Sequence, residues 1–370
     1  MKIVLVGPLP EPINGCSYAN QVFCRLAGSA GHVVSKINTA TSDISGRQGS
    51  MFSWRKGIAF LQTYRRLPQL FRADVVYCTP GQTYFGLLKY APFLILTRML
   101  HIPYVLHLHG NHLGAHYASL QGIRRRVFHY LVANASAGIV LSDSLRANFD
   151  GLLPSDRVHV VANFAGDQLF SLSPFPKSDS RLEIVYLSNL MREKGIVDLL
   201  DALSRLKRAG VPFSARIAGH VEDEVKTDVQ ARLTSLSPEV KYIGPVVGDA
   251  KVRLLQQSNV LVLPTYYTME GQPIALLEGM ATGSILVTTR HAGIPDIVDE
   301  SNGYLLAPHD VGALAKCLER IAHNLPGELM RVSRHNMESA ARLYTEQAFA
   351  EKILEVLDKA VRKCRKVRSR

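Results

Sequence analysis

Short apolar runs recur along the chain with helical patterns between them, and this alternation constrains the fold more than any other feature. The first run, KIVLVG within Met1–Gly7, has no polar break between Ile3 and Val6, as a strand buried on both faces requires. A loop with Pro8, Pro10, Pro12, Asn14 and Gly15 follows, then a helical pattern over Ser17–Ala30 that Gly31 stops. His32–Ile37, Asp74–Cys78, Tyr104–His107 and Gly138–Leu141 read as further strands. The Pro/Ser-rich segment Ser171–Ser180 breaks the pattern and is read as a linker. Beyond it, strands Ile184–Leu187, Ser214–Ala218, Val240–Ile243, Val260–Leu263 and Ile285–Thr288 alternate with helices Gly195–Ala209, Glu222–Ser235, Asp249–Gln257, Pro273–Thr282 and Val311–Asn324. A long amphipathic helix over Glu346–Arg362 closes the pattern. Apolar strands alternating with helices predict parallel, doubly wound sheets. The 370 residues suffice for two such α/β domains, expected at 1–170 and 171–345, with 346–370 packing back on the first. Two facing domains of this kind are expected to leave a cleft between the carboxyl ends of their sheets. The functional loops are then those after Gly7, Leu108, Leu187, Ala218 and Leu263.

Composition narrows the class. Apolar residues are 47% and charged residues 20%, which excludes a disordered chain. The five cysteines are far apart and never in CxxC spacing, so neither a disulfide scaffold nor a zinc cluster is expected, and a reduced, cytoplasmic setting fits. The N-terminal run is too short and wrongly flanked for a signal peptide. The longest strongly apolar stretch, Tyr90–Thr97, ends at Arg98 and is far below the ~20 residues of a spanning helix.

The net charge of +12 is uneven. Residues 1–170 hold 16 Lys and Arg against 7 Asp and Glu, residues 171–358 hold 20 against 24, and residues 359–370 hold 7 against none. A basic first half and tail point to an anionic partner. In Trp54–Arg72, aromatic and aliphatic residues interleave with Arg and Lys. On a helix this gives either an interfacial, membrane-facing stripe or an ordinary surface helix, which Pro68 cuts short. Arg124–Arg126 is a second basic cluster, and the basic tail can equally be a solvated end.

The segment Glu270–Gly283 (EGQPIALLEGMATG) carries the most chemistry. Pro273 suits the first helical position, so Glu270, Gly271 and Gln272 form the loop entering the helix. Free N–H groups and the positive helix end there favour an anion. Glu278 lies about five residues into the helix, roughly 7.5 Å along its axis, so Glu270 and Glu278 cannot form one dyad. Each is placed to accept hydrogen bonds from a different part of a long ligand, sugar hydroxyls included. A capping and a surface carboxylate are the plainer alternative.

The stretch LPTYYTMEGQPIALLEGMATGSILVTT resembles the signature of retaining glycosyltransferases of the GT-B fold, the large family 4 group, whose members carry E-x7-E and small residues. The likeness extends to the turn Gly293–Asp296, to Asn302–Leu306 (NGYLL), to the strand, loop, Lys–Gly and helix of Tyr186–Asp201, to the N-terminal loop Pro8–Gly15, and to Leu106–Gly110 (LHLHG). It covers nearly the whole chain in the right order. The fold it implies is GT-B, two facing doubly wound Rossmann-like domains with a cleft between them. The activity it implies is transfer of a hexose from a UDP- or GDP-linked sugar, with retention and without metal or resident cofactor. The acceptor is expected to be a saccharide or lipid-linked saccharide of bacterial surface polysaccharide or lipopolysaccharide synthesis. It would be met at the inner face of the cytoplasmic membrane, with Trp54–Arg72 and Arg124–Arg126 toward the anionic surface.

The resemblance also assigns residues. Glu270 contacts donor hydroxyls, and Gly271, Gln272, Pro273 and Ile274 cradle the sugar. Glu278 holds the ribose, and Lys194 stabilises the negative charge that develops on the diphosphate. Where the family often has Arg, this chain has neutral Asn189, with Arg192 near enough to compensate. Its Gly–Gly appears as Asn14–Gly15. Gly15 admits a close phosphate and Asn14 tolerates positive φ. His109 matches the family's strand-end histidine and is expected to touch donor or acceptor. A buried structural histidine, or a metal pair with His107, are the alternatives. Gly219 and His220 follow a strand, and the resemblance makes His220 either a lining of the nucleotide pocket or a surface residue. No carboxylate pair suits a covalent intermediate, so same-face attack with the leaving phosphate as base is expected. The competing readings are a non-hydrolysing nucleotide-sugar epimerase of similar fold and a non-catalytic subunit. GxGxxG is absent from the first loop, which disfavours an oxidoreductase. No nucleic-acid module is recognised.

Overall fold

The computed structural model describes residues 1–40, 60–170 and 177–368. The chain divides into two compact units. One comprises Met1–Asn163 with Glu346–Arg370, the other Phe164–Thr345.

The first unit is built on six parallel strands: β1 (Lys2–Gly7), β2 (Val33–Asn38), β3 (Val75–Cys78), β4 (Tyr104–His107), β5 (Ala137–Val140) and β6 (Val158–Val160), in the order β2-β1-β3-β4-β5-β6. Ile3, Val4, Leu5 and Val6 are buried, as the unbroken apolar run requires. β2, on the edge, is mostly accessible. Lys2 pairs with Val33 and Gly7 with Asn38, which fixes the register of the first crossover. Helix Gly15–Ser29 packs against the last helix, Glu346–Arg368. That last helix is tied on by Glu346, which accepts from Tyr18 at 3.1 Å and pairs with Arg25.

The second unit repeats the design with β7 (Leu182–Leu187), β8 (Phe213–Ala218), β9 (Val240–Gly244), β10 (Val260–Leu263), β11 (Ile285–Thr289) and β12 (Gly303–Leu306), all parallel, in the order β12-β11-β10-β7-β8-β9. Its core is the strand interiors with the apolar stripe of helix Ile196–Arg208, where Ile196, Leu199, Leu200, Leu203 and Leu206 recur at helical spacing and are buried. The strand order reverses between β7 and β10. In an open α/β sheet the loops leaving such neighbours diverge and form a crevice at the carboxyl edge. The first sheet has its reversal between β1 and β3.

Four sequence expectations are corrected. The division falls at 163/164 rather than at 170/171, because Ala165 and Leu169 are buried in the second unit's core and the Ala165 N–H donates to the Tyr344 carbonyl at 2.8 Å. Residues 171–176 of the expected linker lie outside the described residues. Its far end is pinned to the second unit: Lys177 Nζ donates to the Leu255 and Ser258 carbonyls, and Asn259 donates to Ser178 O and Arg181 O. Of the expected helix Trp54–Arg72, residues 54–59 lie outside the described residues, and Gln62–Arg72 forms 3-10 turns through Pro68. Finally, β6, β12 and helix Leu325–Leu343 are elements the pattern reading did not count.

Candidate active site

In the second unit the crevice between β7 and β10 is filled by charged and aromatic side chains from the loops that follow these two strands. After β7 the chain makes one 3-10 turn, Arg192–Lys194, and enters helix Ile196–Arg208 through Gly195 at φ 76. A Cβ on Gly195 would stand 2.2 Å from the Pro264 carbonyl oxygen, so both the left-handed turn and the close approach of the β10 loop require glycine. Tyr186, fully buried on β7, donates its hydroxyl to the Asn189 carbonyl at 3.0 Å and the Lys194 carbonyl at 3.3 Å, which fixes the loop from below.

This places Lys194 beside Glu270. The ammonium donates to Glu270 Oε2 at 2.6 Å, and both side chains are largely buried, at 15% and 8% exposure. The same oxygen accepts from Thr265 Oγ1 at 3.0 Å. Lys194 Nζ also lies 4.9 Å from the Tyr267 ring centre, a cation–π distance. The two loops are laced together: Tyr266 N–H donates to Glu193 O at 2.7 Å, and Glu270 N–H to Tyr267 O at 2.8 Å. Burial beside Glu270 pushes the Tyr267 phenol up to about 12, so it stays a neutral donor. The loop after β11 joins through Gly293 N–H to Gly271 O at 3.1 Å and through His291 Nε2 to Tyr267 O at 2.7 Å.

Helix Ile274–Ala281 starts one residue later than the sequence suggests, with Pro273 as its N-cap and no side-chain cap. Gly271, Gln272 and Pro273 are buried at its mouth, while Ile274 is half-buried. The uncapped first turn leaves N–H donors that an anion can satisfy. Glu278, one turn on, points elsewhere. It is 2% exposed and pairs with Lys251 of helix Gly248–Gln256. The two glutamates thus each have their own cation.

The remaining predicted residues divide. Arg192 pairs at 2.5 Å with Asp228 of helix Lys226–Ser235, a partner the sequence did not suggest. Asn189 serves through its carbonyl in the β7 loop. Gly219 passes so close to the Ser188 carbonyl that a Cβ would sit 1.8 Å from it, and its φ of 145 suits only glycine. His220 is exposed. Thr265, Tyr267 and Lys251 are site residues that the sequence reading missed. The signal for the first two was present, since both follow the end of β10.

Gly15 and His109 belong to the first unit. Asn14 caps helix Gly15–Ser29 in extended conformation, φ −140, exchanging hydrogen bonds of 2.9 Å with Ser17. The positive φ expected there is thus replaced by a capping box. Gly15 is exposed in the first turn. At the end of β4, His107 is fully buried, and its Nδ1 lies 2.6 Å from the Tyr77 hydroxyl. His109 stacks on it with ring centres 4.2 Å apart. Both ring nitrogens of His109 are buried and have no hydrogen-bond partner. Burial lowers its pKa to about 4, so it is neutral at physiological pH. Among the described residues no group of three His, Cys, Asp or Glu is placed to hold a metal ion, and no helix is long and apolar enough to cross a membrane.

Known proteins resemble both units of the chain. The family described as glycosyl transferases group 1 matches residues 171–344, and the glycosyl transferase 4-like domain matches residues 22–163. The putative colanic acid biosynthesis glycosyltransferase WcaL of Escherichia coli is 29% identical over 209 residues, which is 55% of this chain and 52% of that protein. The amylovoran biosynthesis glycosyltransferase AmsK of Erwinia amylovora is 28% identical over 174 residues, covering 46% and 43%. The chain thus spans about half the length of these curated relatives. The crystal structure of Anabaena HepE in complex with UDP-glucose superposes with a TM-score of 0.72 at 17% identity, covering 97% of this chain and all of that one. With two parallel six-stranded doubly wound sheets and this likeness the fold is GT-B, and the chain belongs to the group 1, GT4-like glycosyltransferases.

Proposed function

We propose that the chain transfers a hexose, with retention of anomeric configuration, from a nucleoside diphosphate sugar to a saccharide or lipid-linked saccharide of surface polysaccharide or lipopolysaccharide synthesis. The carrying observation is the buried Lys194–Glu270 pair under an uncapped helix start at the β7/β10 crevice. A hexose diphosphate needs an acceptor of hydroxyl hydrogen bonds and a cation for the phosphates, side by side, and this pair is both. Glu270, held by Lys194 and Thr265, keeps lone pairs for donor hydroxyls, with Gly271, Gln272, Pro273 and Ile274 lining the sugar. The ammonium of Lys194 has further N–H bonds to give the diphosphate. When the bond from the anomeric carbon to the phosphate oxygen breaks, the electron pair goes to the diphosphate, where Lys194 and the helix N–H groups stabilise it. The acceptor hydroxyl attacks from the same face and its proton passes to the departing phosphate oxygen. Glu278 holds the ribose. Asn189, Arg192 and Gly219 complete the donor surroundings in the second unit; in the first unit Gly15 and His109, the latter neutral and unpartnered, are the residues the resemblance assigns to donor or acceptor contact. No metal is needed, because cation and helix end supply the charge. The names of WcaL and AmsK, and the UDP-glucose bound by HepE, support the polysaccharide setting and a nucleotide-linked donor.

The test is thermal denaturation with UDP, GDP, ADP, CMP and dTDP, each with and without EDTA. A diphosphate that binds only the folded state stabilises by about 2.7 kcal/mol at 100 times its Kd. Stabilisation by one diphosphate, unchanged by EDTA, is the expected result and names the donor class. No response to any, or one abolished by EDTA, refutes the reading. A nucleotide-sugar epimerase would instead convert the donor without an acceptor.

A further inference from the structure

His309 has a left-handed backbone, with φ at 64, a conformation that among the described residues only His101 and Ala292 share outside glycine. Glycine adopts it freely, whereas any other side chain is strained by it. The neighbours impose the turn. β12 ends at Leu306, and Asp310 caps helix Val311–His323 by accepting from the Ala313 N–H at 2.7 Å, so the chain reverses between the two. Glycine would make this turn at lower energy, so the imidazole has to be explained by what it touches.

It touches the loop that carries Glu270. The His309 ring centre lies 3.8 Å from that of Tyr266, and the exposed imidazole covers the half-buried phenol. Tyr266 donates its N–H to Glu193 O at 2.7 Å, one residue before Lys194. It also precedes Tyr267, whose ring centre is 4.9 Å from the Lys194 ammonium. Asp198, in the first turn of helix Ile196–Arg208, is the third member of the cluster. Burial, and after it the Asp198 charge, raise the Tyr266 phenol. Burial raises the Asp198 carboxyl, and His309 and Arg192 hold it down. Asp198 Oδ2 is buried without a hydrogen-bond partner. The His309 ring thus stands where the loop after β10 meets the start of the helix that follows Lys194.

We propose that His309 is a positioning residue: stacked on Tyr266, it holds the Tyr266 N–H on Glu193 O and so keeps Lys194 and Glu270 in register. Its effect on turnover rests on the donor reading above; its effect on the loop does not. Without the ring, Tyr266 keeps one backbone bond but loses its cover, and the Tyr267 ring and the Lys194 ammonium shift with it. Removal of an ordinary surface histidine would leave both loops as they are. Glycine at this position relaxes the backbone and deletes the ring together, so stability and loop order are expected to change in opposite directions.

The test compares His309→Gly, which keeps the turn and removes the ring, with His309→Phe, which keeps a ring and the strain. Amide hydrogen exchange is read by mass spectrometry on peptides spanning 264–270 of the full chain, without ligand. In His309→Gly it is expected to quicken about 2–10-fold, the scale of one ring pair. In His309→Phe it stays near the native rate. Thermal denaturation runs the other way: His309→Gly melts at the native Tm or up to about 4 °C above it, and His309→Phe no higher than the native protein. Turnover of UDP-glucose and GDP-glucose, read as release of nucleoside diphosphate, falls about 10-fold in His309→Gly and recovers in His309→Phe. His101→Gly, at a left-handed position of the first unit, leaves exchange and turnover unchanged. Native exchange in His309→Gly, faster exchange with full turnover, or exchange that simply follows Tm across the two variants overturns the proposal. A native protein that turns over neither donor counts against the donor reading, while the exchange rates still decide whether His309 holds the loop.

Discussion

Glu270→Gln is the sharpest perturbation of the candidate site, because it keeps the volume and the Thr265 hydrogen bond but removes the charge. In the native protein the carboxylate takes a 2.6 Å bond from Lys194, with both groups under one-sixth exposed. Removing one partner of a buried pair costs about 3–5 kcal/mol, since the other charge is left uncompensated. Lys194 retains some solvent and the Tyr267 ring, so a value below that range applies, about 2–3 kcal/mol. For a unit of this size each kcal/mol shifts Tm by roughly 2–4 °C, so calorimetry is expected to show a fall of about 5–10 °C in the transition of the second unit. Donor turnover, followed by release of nucleoside diphosphate, is expected to fall at least about 100-fold, because Glu270 both binds the donor hydroxyls and holds Lys194 at the developing charge. Binding of the nucleoside diphosphate itself persists, because its contacts lie elsewhere. A Tm drop with full turnover makes the pair structural and refutes the site. An unchanged Tm with full turnover refutes the energetics as well.

Three further outcomes follow from the geometry. Gly195→Ala is expected to cost more than about 2 kcal/mol, whereas Gly210→Ala, equally left-handed but with open space around it, costs only the backbone strain of about 1 kcal/mol; urea denaturation of both compares them. His109 has its pKa lowered by burial to about 4, against about 6.5 unfolded, so the unfolded chain binds more protons between these values and stability falls as pH drops through that window. Going from pH 7 to pH 5 is expected to cost about 2 kcal/mol from this residue, and His109→Asn removes that dependence in urea titrations at the two pH values. Lys177 is pulled down to about 7 by burial; the unfolded lysine still holds its proton up to about 10.4, so the second unit gains stability as pH rises from 7 toward 10, and Lys177→Met abolishes that rise.

Sequence reading reached the strands wherever apolar residues ran unbroken, as in β1, β7 and β10. It missed β6 because Val158–Val160 is three residues with a histidine at its centre. It missed helix Leu325–Leu343 because one position of its buried stripe, Leu325, Leu329, Val332, Asn336 and Ala340, is polar. Asn336 is fully buried there and donates to the Ser284 and Asn302 carbonyls at 2.9 and 3.0 Å, so it behaves as a core residue without looking like one. In the site, Lys194 and Glu270 stood in recognisable surroundings, but their contact depended on strand order, which brings β7 beside β10 across more than seventy residues of sequence. The pairs Lys251–Glu278 and Arg192–Asp228 join different helices, and no local pattern announces them.

The connectivity of the two units has a consequence for how the chain is made. Phe164–Thr345 is a continuous stretch whose two ends meet at the Ala165–Tyr344 bond, so every contact of its core is available once Thr345 has left the ribosome. The first unit is synthesised earlier yet finishes later, for helix Gly15–Ser29 lacks the packing and the Glu346 partner of Tyr18 and Arg25 until residues 346–368 emerge. During translation the nascent first half therefore carries an uncovered apolar helix face for as long as it takes to produce an entire intervening domain, and that interval is when a holdase would find its binding site.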